Sequence, residues 1–343
     1  VLFPFSFAGI VAGGCSQNMG RTAMTPSSLD AQGPGAARIA ELWWLMLGLS
    51  VPIILLILGV VVFVLLRRRA ASGGPEIPPA ASRGGRNWLL WGGVVMPAVV
   101  VAIVLGFTIR TLAALAATEA PIEVEVTGRR WWWEIVYPGH GVITANELHI
   151  PVGTPVRLTL QSADVIHSFW APQLHGKMDL IPGSVNQLVI EADETGVYRG
   201  VCAEFCGVQH THMGFLVVAQ TQEEFERWLA AQQQPAAAVE DGPAGRGQQV
   251  FLAAGCAYCH RVDGLEGSRL GSTLDASVVG LGPDLTHLNS RSTIAAGTLA
   301  NNRGNLAGWV ANPQHTKPGS LMPPTFLPAE DLHALLAYLE SLD

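Results

Sequence analysis

Cysteine is scarce in this chain: five among 343 residues, at positions 15, 202, 206, 256 and 259. Four of the five fall in two tight pairs, which leaves Cys15 without a partner and excludes a disulfide framework. Charge is scarce as well, at 14% of residues with a net charge of −7, a balance that gives nucleic-acid binding no support. No internal repeat is visible, which sets repeat architectures aside. Two runs in the N-terminal third, Leu42–Leu66 and Trp88–Ile109, hold no charged residue at all.

Each of these runs is long enough to cross a bilayer. Pro52 and Pro97 interrupt them, which membrane helices tolerate better than soluble ones. A helical hairpin buried in a soluble protein is the alternative, and uncharged runs of this length disfavour it. Between them Arg67, Arg68, Arg69, Arg83 and Arg86 stand against a single acid, Glu76. That bias puts the loop in the cytoplasm and both termini, with everything after Ala120, on the periplasmic or extracellular side. Ahead of the first run, Val1–Gly14 is apolar and rich in small residues. It reads as the apolar region and cleavage site of a secretory signal, with Cys15 a candidate for lipidation and a plainly cleaved or disordered start as the alternative.

What the chain does have is two concentrations of soft metal ligands. Residues 202–213 read Cys-Ala-Glu-Phe-Cys-Gly-Val-Gln-His-Thr-His-Met. Two thiolates, an imidazole and a thioether (Cys202, Cys206, His210, Met213) are the donor set that selects copper for electron transfer over hard cations. The spacing suits a loop between two strands, and His167, in Asp-Val-Ile-His-Ser-Phe, can join from another loop. A zinc site of two cysteines and two histidines fits the same strong donors; Met213 and Glu204 argue against it. The second concentration is Cys256-Ala-Tyr-Cys259-His260, the pattern that attaches haem c through two thioether bonds with the histidine as axial ligand. A redox or zinc half-site is the alternative there. Met322 is the only methionine after that motif, so an iron with a methionine ligand has no other choice; taken alone, it reads as a core methionine.

Cys-x-Glu-x-Cys-Gly-x-x-His-x-x-Met with an upstream histidine is similar to the dinuclear CuA centre of cytochrome c oxidase subunit II. Together with the C-terminal motif, the chain from Glu41 onward resembles the class of subunit II that carries a fused cytochrome c domain, as in caa-type haem–copper oxidases. The resemblance implies that Cys202 and Cys206 bridge two coppers, that His167 and His210 each bind one, that Met213 is a weak ligand and that Glu204 contributes its backbone carbonyl. It implies a relay from a soluble or membrane-bound cytochrome c through haem c and CuA to haem a and the haem–copper oxygen site of subunit I. Oxygen reduction and proton pumping would belong to that partner, with subunit III alongside, in a bacterial plasma membrane. Gly282-Pro283-Asp284-Leu285 resembles the loop that small cytochromes c place against the axial histidine. Trp131 matches an electron-transfer position near copper. Lys177-Met178-Asp179 and Glu204 match places facing subunit I, where the Glu204 carboxylate would help bind magnesium. Leu90 stands where relatives often carry a glutamate that feeds a proton path. Two alternatives share these motifs in part: a nitric oxide reductase using the same electron-accepting module, and an extracytoplasmic copper-binding or delivery protein. A quinol-fed subunit has no need of the copper ligands.

The remaining pattern supplies the scaffold. Glu123–Val126, Arg157–Gln161, Gln187–Glu191 and Phe215–Ala219 have the β-branched content of short strands, with turns at Tyr137-Pro-Gly, Pro151-Val-Gly and Ile181-Pro-Gly. Within a strand, Trp131 and Trp133 share one face and Trp132 takes the other. A helix is expected over Gln222–Ala231, with Thr221 as its N-cap. Gln232–Pro243 is a linker by composition, and as a flexible tether it would hold the last domain at about millimolar local concentration. Helices are expected over Gly245–Gly255, Gly304–Asn312 and Ala329–Ser341, with the haem motif inside a helical stretch from Gly247 to Cys259. Residues 119–232 carry 14 acids against 6 basic residues, a balance suited to a basic electron donor, or simply a soluble acidic surface. The expected architecture is a membrane-anchored multidomain chain. It comprises an N-terminal segment (1–40), a two-helix transmembrane hairpin (41–118), an all-β cupredoxin-like sandwich (119–232), a linker (233–243) and a small all-α class I cytochrome c domain (244–343).

Overall fold

The computed structural model describes residues 26–70, 83–116, 119–268 and 282–343. The leader-like stretch Val1–Gly14, Cys15 and Glu76 lie outside them. Helix α1 (Pro34–Ala70) is followed by α2 (Arg83–Leu90), a π-helical turn (Trp91–Val95) and α3 (Met96–Ala116). These helices extend past the apolar runs at both ends, and α1 begins inside the segment assigned to 1–40. The π turn has a local cause. Pro97 has no N–H to bond back and its ring crowds the preceding turn, so the helix widens just ahead of it; the Met96 N–H reaches the Trp91 carbonyl. Both helices are long and apolar enough to cross a membrane, with window hydropathies of 3.2 and 2.4 and none of either window buried. Apolar side chains all round and no protein core to cover them are what lipid-facing helices show. Arg38 Nη1 donates to the Ala114 carbonyl at 3.1 Å, tying the two helices at one end. At that same end Gln32 and Ala36 donate to the carbonyls of Gln173 and Leu174, so the start of the hairpin meets the β domain.

Ten strands form that domain: β1 (Ile122–Arg129), β2 (Trp132–Tyr137), β3 (Val142–Ala145), β4 (Glu147–Pro151), β5 (Val156–Ser162), β6 (His167–Trp170), β7 (Met178–Leu180), β8 (Asn186–Ile190), β9 (Gly196–Cys202) and β10 (Gly214–Gln220). They make two five-stranded sheets, ordered β3-β2-β1-β5-β8 and β4-β10-β9-β6-β7. Alternation puts Val124 and Val126, then Leu158 and Leu160, then Val217 and Ala219 into one core between the sheets. The four strands expected from β-branched content are β1, β5, β8 and β10. Trp131 departs from expectation: it sits in the turn between β1 and β2, not in the strand. Trp133 is fully buried, and Trp132, on the opposite face, packs with Ala145 and Ala296. Helix α4 (Gln222–Gln232) closes the domain through a complete capping box between Thr221 and Glu224.

The C-terminal domain holds α5 (Pro243–Ala253), α6 (Arg303–Ala311), α7 (Pro313–Thr316) and α8 (Ala329–Leu339), with a two-residue hairpin of β11 (Thr293–Ile294) and β12 (Leu299–Ala300). α5 and α8 cross with Phe251 edge-on to Tyr338 at 5.6 Å. The expected helix through the Cys-x-x-Cys-His motif is broken. α5 ends at Ala253, Gly255 takes φ 78°, and Cys256–Tyr258 forms a separate 3-10 turn. A left-handed glycine reverses the chain there at no steric cost. The linker is not a free tether either. Gln233 Nε2 donates to His140 O at 3.0 Å, Ala236 N donates to Asp263 O at 3.0 Å, and His287 Nε2 lies 3.2 and 3.0 Å from the carbonyls of Gln232 and Gln234. The C-terminal domain is docked on the sandwich.

Thr221→Ala removes the cap and its reciprocal bond to Glu224, which should cost about 1 kcal/mol. A lowered denaturant midpoint for the β domain would show this; an unchanged one would mean that Phe225 and Leu229 packing alone holds α4.

Candidate metal centre and haem cavity

The ligand loop is set by sheet register. β6 pairs with β9 so that Phe169 lies opposite Cys202. His167, two residues earlier on β6, shares that face and looks past the end of β9 into the loop that follows. Its Nδ1 is 3.9 Å from Cys202 Sγ, and the two sulfurs of Cys202 and Cys206 are 3.8 Å apart. Cys206 Sγ is 3.7 Å from His210 Nδ1 and 3.8 Å from Met213 Sδ, while Cys202 Sγ is 3.2 Å from the Glu204 carbonyl. Donor atoms of His167, Cys202 and Cys206 all lie within 4.8 Å of one another. All six residues named from the sequence therefore converge. The other imidazole of the loop, His212, turns away to Gln209 Oε1 at 2.7 Å.

Two indoles hold this loop from beneath: Trp131 Nε1 donates to Cys206 O at 3.0 Å and Trp133 Nε1 to Met213 O at 3.4 Å. Sequence reasoning missed Asp164, three residues before His167. Its carboxylate is 2.7 Å from His167 Nε2 and also accepts the backbone N–H groups of Arg130 and Val165. A carboxylate on the far nitrogen fixes the ring and leaves Nδ1 for a metal. Burial works against the imidazolium, but Asp164 and Cys202 outweigh it and raise the His167 pKa. Close approach of that ring also explains Gly128, where a Cβ would sit 2.7 Å from the imidazole.

The two thiols shift each other in opposite directions. A hydrogen bond from Cys206 pulls Cys202 down to about 3 against the effect of burial, and Cys206 is pushed up by Cys202 and by burial. The donor chemistry fits a soft cation that takes over the second charge. Glu204 Oε2 lies 3.6 Å from Lys177 Nζ, which also reaches Asp179 at 3.5 Å. The Lys177 ammonium thus lies between these two carboxylates.

Cys256, His260 and Met322 line two contiguous cavities, of about 380 Å³ and about 90 Å³. Cys259 borders the larger one. His260 Nδ1 donates to Pro283 O at 2.8 Å, leaving Nε2 for iron. The Met322 loop is held by Gln314 Nε2, which donates to Met322 O at 2.9 Å. A Cβ at Gly282 would stand 2.6 Å from the His260 ring. Arg291 lines the smaller cavity, and its Nε is the one buried side-chain nitrogen or oxygen among the described residues without a hydrogen-bond partner. A haem carries carboxylates of the kind this guanidinium needs, so the residues present fit the group. Trp131, Trp132 and Lys317 complete the wall of the larger cavity, so part of that wall belongs to the sandwich domain. Burial pulls Lys317 down to about 7, with Cys206 acting in the opposite sense.

A cupredoxin-like sandwich with a cysteine-rich metal loop, preceded by two membrane-length helices and followed by a cytochrome c domain, defines the class. The model of the cytochrome c oxidase subunit II periplasmic domain matches residues 140–220, and the cytochrome c model matches residues 244–343. Cytochrome c oxidase subunit 2 of Alkalihalophilus pseudofirmus is 37% identical over 222 residues, 64% of this chain and 61% of that protein. This chain thus spans less than two thirds of that relative. The same subunit of Bacillus sp. (strain PS3) is 32% identical over 271 residues, covering 74% of this chain and 73% of the relative. The crystal structure of the periplasmic domain of oxidase subunit II from Bradyrhizobium japonicum aligns with 34% of this chain and 96% of its own, at 29% identity and a TM-score of 0.33. The chain belongs to the cytochrome c oxidase subunit II family.

Asp164→Asn should weaken copper binding by about 10- to 100-fold through loss of ring orientation at His167. Competition against a chelator of known affinity measures this; unchanged affinity would remove Asp164 from the site.

Proposed function

We propose that this chain is the electron-accepting subunit of a respiratory cytochrome c oxidase in a bacterial plasma membrane. His167, Cys202, Cys206, His210 and Met213, with the Glu204 carbonyl, would hold a dinuclear copper centre; Cys256 and Cys259 would anchor haem c, and His260 and Met322 would hold its iron. When bound, the two groups supply one-electron redox chemistry, taking electrons from a donor cytochrome c and delivering them toward the haem a and haem–copper centre of subunit I. The observation that carries this reading is the convergence of two sulfurs, two imidazoles, a thioether and a carbonyl in one buried loop, with a haem-ligand cavity sharing the Trp131 wall.

What the residues do follows from the geometry. Asp164 orients His167, Trp131 and Trp133 fix the loop backbone, and the sandwich core keeps water from the sulfurs. Rigid ligands keep bond lengths nearly constant on reduction, which favours rapid transfer. Trp131 bridges the two sites: its indole bonds to the Cys206 carbonyl and its ring lines the cavity. Cys202, Cys206, Met213 and His167 are 6%, 4%, 1% and 0% exposed, which argues against a delivery protein, whose ligands must be open to exchange. The orientation follows from the arginine-flanked loop, with the metal domains outside. Subunit I would face the Lys177–Asp179 and Glu204 side, where the Glu204 carboxylate would help bind magnesium, and subunit III would belong to the same complex.

Met322→Ala should lower the haem potential and let carbon monoxide bind the reduced iron; a haem that stays closed to carbon monoxide would remove Met322 as the ligand. Met213→Leu should retain copper while changing its EPR spectrum and slowing transfer, and an unaltered spectrum and turnover would count against Met213. Turnover of the assembled complex with oxygen and with nitric oxide tests the final acceptor; faster turnover with nitric oxide would overturn the oxidase reading.

A further inference from the structure

The docked interface contains two buried ionisable side chains that reach across it in opposite directions. Glu147, at the start of β4 in the sandwich, is 3% exposed. Its carboxylate accepts the backbone N–H groups of Ser292 (3.0 and 3.2 Å) and Thr293 (2.9 Å). It also accepts the hydroxyls of Ser292 (2.8 Å) and Thr293 (3.0 Å). Lys317, between α7 and Met322 in the C-terminal domain, is also 3% exposed. Its Nζ donates to the carbonyl of Trp131 at 2.8 Å and to that of Ala295 at 3.3 Å. Each group is thus satisfied largely by fixed backbone groups, and in each case a partner belongs to the other domain.

The element between these anchors is strained. Ala295 and Ala296 adopt φ of 54° and 57°, a left-handed conformation disfavoured for residues with a Cβ. That turn delivers the Ala296 carbonyl to the Gly214 N–H at 3.0 Å, next to the last residue of the metal loop, and packs the Ala296 methyl on Trp132. Gln209 Nε2, from the metal loop itself, donates to Pro318 O at 2.7 Å. Buried charges are poor sources of net stability, because desolvation offsets most of the gain. The effect of such groups is selective: any pose that separates Glu147 from residues 292–293, or Lys317 from Trp131, leaves a buried polar group without its partners. An apolar interface of the same size could slide.

We infer that Glu147 and Lys317 are positioning residues that lock the cytochrome c domain in one pose against the Trp131 face, so that transfer between the two centres occurs in a permanently docked state. The electron-transfer part of this inference rests on the function proposed above; the docking part does not. Glu147 acts through Ser292 and Thr293, the residues next to Arg291 on the haem cavity. Lys317 acts through the backbone of the tryptophan whose ring borders that cavity. Glu147 lies outside the lining of that cavity, whereas Lys317 borders its larger part.

The test uses the full chain in its assembled complex, with Glu147→Ala and Lys317→Met made singly. Amide hydrogen exchange at Ser292, Thr293 and Gly214 should accelerate by about tenfold or more in either variant, the consequence of leaving a buried polar group without its partner. First-order transfer between haem and copper after photoreduction of the haem should slow by a similar factor and become sensitive to solvent viscosity. In Glu147→Ala the copper EPR spectrum and the haem potential should stay those of the parent. Glu147→Gln, which keeps an acceptor oxygen, should recover most of both effects. Should Glu147→Ala fail to fold, Ser292→Ala combined with Thr293→Val removes two of the donors while leaving Glu147 in place, and should move exchange in the same direction. Parental exchange with a parental, viscosity-independent rate would overturn the inference. So would a loss of rate in Glu147→Ala that tracks a shifted haem potential, because Glu147 would then be acting on the centres. A parent chain lacking both centres would instead defeat the proposed function, and the exchange experiment would still decide the docking.

Discussion

Two cysteine sulfurs 3.8 Å apart in a buried loop accommodate one negative charge between them and resist a second. Much of the sandwich can be read as the means of enforcing that proximity. β9 ends at Cys202 and β10 begins at Gly214, so the register of a single antiparallel pair fixes both ends of the ligand loop. The Cys202 N–H bonds to the Met213 carbonyl across the neck of that loop at 3.0 Å. β6 then brings His167 from far along the chain, and Asp164 fixes its ring. A soft cation that supplies the missing positive charge is the natural completion of this arrangement.

The second domain extends the same logic. Its cavity is not closed by its own residues alone, since Trp131, Trp132 and Asn146 of the sandwich line it. This cavity and the cysteine loop therefore share a wall at the turn between β1 and β2. A tether that only raised local concentration would leave this contact to chance encounters. The hydrogen bonds of the linker and the strained turn at Ala295–Ala296 show that the chain is organised around one arrangement of the two domains. The membrane hairpin meets the sandwich at the end where Arg38 and Ala114 are bonded, which places the start of the hairpin beside the metal-bearing half of the chain.

What was legible in the sequence was what is local. Cys202 to Met213 and Cys256 to His260 are compact signatures, and the two uncharged runs announce themselves by length. Strands with regular alternation, such as Val156–Ser162, were also readable. Strands β2, β3, β4, β6, β7 and β9 were not, because they are short, glycine-interrupted or dominated by tryptophan. The helix break at Gly255 and the turn at Trp131 were missed because tertiary demands, presenting His260 and the indole, override local propensity. Glu147, Lys317 and Arg291 could not be found at all. Glu147 and Lys317 take their meaning from partners 145 and 186 residues away, and in the sequence all three look like ordinary surface charges. Asp164 was the one within reach, since a carboxylate three residues before a ligating histidine is a recognisable orienting pair.

The most direct measurement is the copper EPR spectrum, recorded with the optical spectrum, of the full chain matured with both copper and haem c. The expected result is an unpaired electron shared between two copper nuclei, beside the absorption of a covalently attached low-spin haem. A hyperfine pattern from a single copper nucleus, or zinc in the loop in place of copper, would contradict the paired-sulfur centre on which the functional reading rests.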